Sequence, residues 1–218
     1  ICPSEELKNV FLEHNIFDHN QIKVIQDPHL VMKDINVLKR EELNDHFFND
    51  SKILIAIGRM TKQKNYSFLI KNFKELASKY TDIKLVIIGD GEDKHNLEIL
   101  IKQLDLIKKI KLINHKTNIY KYLKMSKFYV STSLWEGSSL AMVDAAFMGI
   151  PILCSDCPSG RKEFIGKNKR GFIYKKNDSQ DFLNLFDQMY SLNKEDTKNL
   201  TLESKKYVKK FTLFKSYL

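Results

Sequence analysis

An α/β fold, with a doubly wound parallel sheet of about six strands and helices on both faces, follows from three features of the sequence. From Lys52 onward, short aliphatic runs alternate with stretches of helical periodicity. The runs show little polar alternation, as strands covered on both faces should. Glycines stand directly after the first two runs, at Gly58 and Gly89, where a strand gives way to a turn.

Each element has its own warrant. Residues 52–57 (KILIAI), 83–88 (IKLVII), 109–113 (KIKLI), 127–131 (KFYVS) and 151–154 (PILC) read as strands, with 171–174 (GFIY) as a sixth. Between them, residues 66–79, 94–104, 119–125 and 139–148 read as helices. In the first helix Phe68, Leu69, Phe73 and Leu76 recur at helical spacing, with lysines opposite. Asp178 opens a further helix that runs through Tyr190. Strand and helix in alternation mean right-handed βαβ crossovers. The flanks differ. Residues 5–14 predict a helix, 22–25 a short strand and 31–39 a second helix. Residues 193–218 predict one or two terminal helices ending in an aromatic tail, Phe211, Phe214 and Tyr217, without an evident partner in the sheet.

Bulk composition narrows the function classes. With 43% apolar and 29% charged residues the chain is globular, and no window approaches a membrane-spanning run. The opening residues carry neither a signal peptide nor an initiator methionine, so the chain reads as a piece of a longer one. Lys and Arg outnumber Asp and Glu by 36 to 27, a formal charge of +9. That excess suits phosphorylated ligands and an anionic membrane surface. Lysines such as Lys108, Lys109, Lys121 and Lys124 are scattered and not interleaved with aromatics, so nucleic acid is not an expected partner. Cys154 and Cys157 form a C-x-x-C pair, but Pro158 follows at once and Cys2 is remote. A strand-end core cysteine beside a loop cysteine fits better than a redox or zinc site. No Asp-x-Asp metal motif occurs, and no metal or other cofactor is expected.

In an open parallel sheet ligands bind beyond the carboxyl ends of the strands, so the loops there are the places to search. The first, residues 58–65 (GRMTKQKN), sets Gly58, Arg59 and Lys64 ahead of a helix, a ready anion site that lacks the P-loop pattern. The second, residues 89–92 (GDGE), lacks the third glycine of the dinucleotide fingerprint; its glycines would allow close backbone approach to a flat group such as a base. The third, residues 133–140 (SLWEGSSL), leads into a helix capped by Ser138 or Ser139, whose free amides favour a phosphate. Glu136 precedes that helix and Asp144 lies two turns into it, positions from which two acids could hold the hydroxyls of one polyol.

Together these loops, with residues 135–151 (WEGSSLAMVDAAFMGIP), resemble the C-terminal donor-binding domain of retaining glycosyltransferases of the GT-B fold, the large bacterial family four or group 1. The resemblance implies a Rossmann-like domain over residues 31–192, preceded by a crossover remnant at 1–30. Residues 193–218 would be terminal helices that cross back to an absent acceptor-binding domain. Residues 22–28 (IKVIQDP) resemble the interdomain crossover, with Asp27 where Asn is usual. Residues 155–163 (SDCPSGRKE) resemble a loop of the subgroups that build O-antigen, capsule, lipopolysaccharide and lipid-linked oligosaccharides.

By that resemblance Arg59 and Lys64 bind the donor diphosphate, and Glu136, first acid of the Glu-x7-Glu motif, contacts the transferred sugar. Asp144 stands at the ribose position; one methylene shorter than Glu, it implies either a closer helix or an intervening water. Gly137, Ser138, Ser139 and Leu140 line the phosphates or sugar, and Gly58 and Gly89 the cleft. Residues 115–120, with Asn118 and Ile119, line the base pocket, although His115 itself fits a core or surface role better. The implied activity is metal-free transfer, with retention, of a hexose or N-acetylhexosamine from a UDP-activated donor to a glycan or polyprenyl-linked acceptor. The implied place is the cytoplasm, with peripheral contact at the inner face of the membrane. A non-catalytic nucleotide-sugar-binding or partner-binding module and a UDP-N-acetylhexosamine epimerase remain the alternatives on the same fold. Residues 1–218 alone are expected to bind nucleotide weakly and transfer little or no sugar; sustained turnover in a radiolabelled transfer assay would place the acceptor wall inside this chain.

Overall fold

The computed structural model describes residues 1–158 and 160–212. The strands are β1 (Lys52–Ile57), β2 (Ile83–Ile88), β3 (Ile110–Ile113), β4 (Ser126–Ser131), β5 (Ile152–Asp156) and β6 (Phe172–Lys175). All neighbours pair in parallel, in the order β3-β2-β1-β4-β5-β6. The helices are α1 (Glu5–Glu13), α2 (Met32–Leu38), α3 (Tyr66–Lys79), α4 (Lys94–Gln103), α5 (Tyr120–Lys124), α6 (Leu140–Met148), α7 (Arg161–Ile165), α8 (Ser179–Tyr190) and α9 (Lys194–Val208).

The weak alternation of the strands has a direct cause: successive side chains enter two different apolar cores. Leu54, Ala56, Leu85, Ile87, Phe128, Val130 and Leu153 point to one face, where α3, α4 and α8 supply Leu69, Phe73, Leu97, Phe182 and Phe186. Ile53, Ile55, Val86, Ile88, Tyr129 and Ile152 point to the other, met by α2, α5, α6, α7 and α9. At roughly 25 cal/mol per Å² of apolar area removed from water, this double burial is the main stabilising term.

The predicted strands and the helices between them match in order and type. Three expectations at the edges need correcting. Residues 22–25 form no strand of the sheet; Val24 makes an isolated parallel bridge to Cys2. The end of residues 155–163, expected as loop by resemblance, folds into α7, starting from Gly160 at φ 76°. Phe211 has its partner after all. It packs against Phe164 and Tyr207, at ring-centroid distances of 6.4 and 6.3 Å, in the same core as α6. Ser159, Phe214 and Tyr217 lie outside the described residues.

The expected close approach at residues 89–92 is real, but its object is different. The Gly58 amide donates to Ile88 and the Met60 amide to Asp90, at 2.9 and 2.8 Å, so the loops after β1 and β2 continue as neighbours. A Cβ on Gly89, at φ +156°, would stand 2.0 Å from the Gly58 carbonyl oxygen. Backbone, not a flat ligand, fills that space. Gly89→Ala is therefore expected to lower stability by about 1–3 kcal/mol in urea denaturation. Gly137→Ala, where an added Cβ meets nothing within 4 Å, is expected to stay within about 0.5 kcal/mol.

Candidate functional site

The strand order reverses between β1 and β4. The helix after β1 covers one face of the sheet and the helix after β4 the other. Their leading loops therefore part at the carboxyl edge and leave a crevice, the usual ligand position in such sheets. The two loops are laced at its floor. Thr132 Oγ1 donates to the Lys64 carbonyl at 2.7 Å, the Leu134 amide to the Gln63 carbonyl at 2.8 Å, and Gln63 Nε2 to the Trp135 carbonyl at 2.8 Å.

Across this floor Lys64 Nζ meets Glu136 Oε1 at 2.5 Å, with the side chains 18% and 6% exposed. Ser133 Oγ donates to the same oxygen at 2.6 Å, and Arg161 approaches it at 3.4 Å. Gly58 leaves room for this arrangement: a Cβ there would meet the Lys64 Cε at 2.7 Å. Two residues 72 positions apart, assigned separately from the sequence, thus form one ion pair. Arg59 is not drawn into it. It stands exposed at the end of β1, without an ion pair among the described residues.

The entrance to α6 closes the crevice. Ser139 is the N-cap residue but its hydroxyl makes no capping bond, leaving the first-turn amides and the positive end of the helix dipole uncovered by a side chain. The Ser138 hydroxyl instead donates to Asp27 on the crossover, and Gly137 is exposed. Leu140 begins the helix proper.

Asp144 occupies a different environment from Glu136. Its side chain is 3% exposed and accepts from His29 Nε2 at 2.8 Å and from the Tyr120 hydroxyl at 2.5 Å. His29, 27% exposed, is the more accessible member of the pair. Burial, followed by the Asp144 charge and hydrogen bond, pushes the Tyr120 phenol well above its ordinary range. The hydrogen bond to Asp144 raises His29 above its usual 6.5, outweighing the opposing effect of burial.

Near the expected base pocket, both polar ends of the Asn118 side chain are engaged. Nδ2 donates to the Leu38 carbonyl at 2.9 Å and Oδ1 accepts from the Tyr120 amide at 3.0 Å. Ile119 packs at the margin of the core. The His115 amide donates to Asp90 at 3.0 Å. All three cysteines are buried, and burial pushes the Cys154 thiol up to about 12.

His29, Tyr120, Ser133 and Arg161 were not singled out from the sequence. Arg161 lies inside the marked 155–163 stretch, but its burial has no local signature. Ser133 and Tyr120 lie inside the marked 133–140 and 115–120 stretches, whereas His29 comes from a distant segment.

His29 also gives the site a pH dependence. Its folded pKa is raised, so its bond to Asp144 stabilises fully below 6.5 and is lost as pH climbs through the raised value. Asp27, Asp144 and Tyr120 are the titratable groups around it. The melting-temperature gap between wild type and His29→Gln is expected to be widest in mild acid and to shrink on the alkaline side. A gap that widens with rising pH would contradict the assignment.

With this geometry in place, similarity to known proteins can be stated. The family model described as Glycosyl transferases group 1 matches residues 39–207. An uncharacterized glycosyltransferase of Methanocaldococcus jannaschii is 34% identical over 168 residues, covering 76% of this chain and 41% of that protein. A Campylobacter jejuni protein is 33% identical over 140 residues, 64% of this chain and 37% of that one. It is the N-acetylgalactosamine-N,N'-diacetylbacillosaminyl-diphospho-undecaprenol 4-alpha-N-acetylgalactosaminyltransferase. In fold, the chain is similar to Anabaena HepE, crystallised in complex with UDP, at a TM-score of 0.81 and 17% identity, over 99% of this chain and 60% of that one. The chain thus spans well under half the length of these curated relatives. Among the described residues no helix is long and apolar enough to cross a membrane. Matched over most of its length, the chain belongs to the group 1 glycosyltransferases, and its sheet is a Rossmann-like half of their GT-B fold.

Proposed function

We propose that the chain is the donor-binding part of a retaining glycosyltransferase of bacterial surface-glycan synthesis. It takes a hexose or N-acetylhexosamine from a UDP-activated donor, for transfer to a glycan or lipid-linked acceptor. The observation that carries this reading is the Lys64–Glu136 pair at the point where the strand order reverses, beneath the uncapped start of α6. A crevice with cations on one wall and a carboxylate aligned with them suits a molecule that is a diphosphate at one end and a polyol at the other.

In this reading Arg59 and Lys64 take the diphosphate, joined by the amides around Ser138, Ser139 and Leu140. They neutralise charge as it grows on the departing nucleotide, the part a metal ion plays elsewhere. Glu136 accepts hydrogen bonds from sugar hydroxyls, and Asp144, with His29 on it, lies toward the ribose. Gly58, Gly89, Gly137, Asn118 and Ile119 complete the walls. None of these residues acts as a general acid or base. The names of the relatives support the substrate class: the C. jejuni protein is named for N-acetylgalactosamine transfer to a diphospho-undecaprenol-linked acceptor, and the Anabaena structure holds UDP. The excess of lysine and arginine, 36 against 27 acids, supports work beside the anionic inner face of the cytoplasmic membrane, where such acceptors are held.

A thermal-shift panel of UDP, GDP, ADP and their common sugars tests base and sugar together, because a ligand raises the melting temperature by mass action. A UDP-sugar is expected to give the largest shift, and no shift with any nucleotide would sink the proposal. In calorimetry, Arg59→Ala and Lys64→Ala are each expected to weaken UDP binding by about 1.5–3 kcal/mol. Unchanged affinity in both would remove the diphosphate assignment.

A further inference from the structure

Arg161 is the largest fully buried side chain of the domain, at 0% exposure. A guanidinium keeps its charge under any condition in a protein, and burying one is costly unless it is paired and hydrogen-bonded. Nη1 donates to the Ser155 carbonyl and hydroxyl at 3.1 and 2.7 Å, and Nη2 to Ser131 Oγ at 2.7 Å. Nη2 also lies 3.4 Å from Glu136 Oε1, while Nε has no hydrogen-bond partner among the described residues. Among the described residues Glu136 is the one carboxylate within ion-pair distance of it.

That carboxylate already has a closer cation in Lys64, at 2.5 Å. Two cations therefore share one acid, and the donors of Lys64, Ser133 and Arg161 all converge on Oε1. The cluster holds one positive charge more than it needs. Bracing of the α7 turn against β4 and β5 explains the bonds to Ser131 and Ser155. It does not explain a second cation on a carboxylate that is already neutralised. The two cations also differ in kind. Arg161 is fixed in a fork of serines, whereas Lys64 is a point charge on a flexible stem at the crevice wall.

We infer that Arg161 is the resident counter-ion of Glu136. It keeps that carboxylate paired and in place when Lys64 leaves it for an anionic group of the ligand. The inference rests on the donor-binding reading above and deepens it. In the empty site Lys64 and Glu136 neutralise each other; a diphosphate draws Lys64 away, and Glu136, 6% exposed, would be stranded without a second cation. Arg161, at 3.4 Å against 2.5 Å for Lys64, lowers that penalty without abolishing it and touches no ligand, so it is a positioning residue. Oε2, which no hydrogen bond from the described residues reaches, is the oxygen left for a sugar hydroxyl.

The test is calorimetry of UDP and UDP-N-acetylglucosamine on the full chain, comparing wild type with Arg161→Met, Arg161→Lys, Glu136→Gln and the Arg161→Met/Glu136→Gln double variant. Arg161→Met is expected to weaken UDP about tenfold or more, since Lys64 must now stay on Glu136. Arg161→Lys keeps the charge and is expected to lose less. Glu136→Gln frees Lys64, so the single variant should bind UDP more tightly than wild type, and the double variant should recover UDP affinity. Both should lose the preference for the sugar nucleotide over UDP. A bracing role for Arg161 predicts no recovery in the double variant, and that result would overturn the inference. If Arg161→Met does not fold by circular dichroism, Glu136→Gln alone decides: UDP affinity equal to or below wild type refutes it. A wild type that binds neither ligand brings down the donor-binding reading and this inference with it. A wild type that binds both, with no gain in Glu136→Gln, removes the inference alone.

Discussion

Every strand of the sheet points the same way, and that single constraint places the rest. Parallel strands need crossovers, the crossovers bury both faces, and all the loops that follow strands collect on one edge. Where the order turns outward from β1 and β4, the loops diverge, and the crevice between them is a by-product of topology before it is a binding site. Its chemistry depends on which residues happen to stand at the ends of those two strands.

What stands there is unbalanced charge. Lys64 and Arg161 face Glu136, Arg59 waits exposed at the rim, and the start of α6 adds its dipole. Eight residues further on, Asp144 is treated in the opposite manner, buried with a histidine and a tyrosine supplying neutral or titratable donors. The two acids of one motif therefore live under different electrostatic rules. One faces two cations, and the other is bonded to a histidine whose own pKa it raises.

The fold was legible because its signals are local. Apolar runs such as residues 52–57 and 83–88 are too short for helices and too continuous for one-sided strands, and the structure returns them unchanged. The errors fell where a local pattern lacked a partner or hid one. Residues 22–25 have strand composition but reach only Cys2, whereas residues 155–163 resembled a loop and end in α7. Within the site, Lys64, Glu136 and Asp144 could be named because their loops resemble a family, but Arg161 and His29 beside them could not. Arg161 reads as a surface residue until the serines of β4 and β5 enclose it, and His29 reaches Asp144 across 115 positions. Composition carries no trace of contacts made at such range.

The crossover is tied down from the far end of the chain: the amides of His29 and Leu30 both donate to the Phe211 carbonyl at 2.9 Å, beside a bridge from Leu30 to Thr212. On the ribosome, that anchor does not exist until Phe211 has emerged, by which time all six strands have been made. Until then the segment bearing Asp27 and His29 has its side-chain bonds to Ser138 and Asp144 but not this backbone anchor. A nascent chain halted before Phe211 would therefore hold a complete sheet while the crossover beside α6 still lacked its backbone tie.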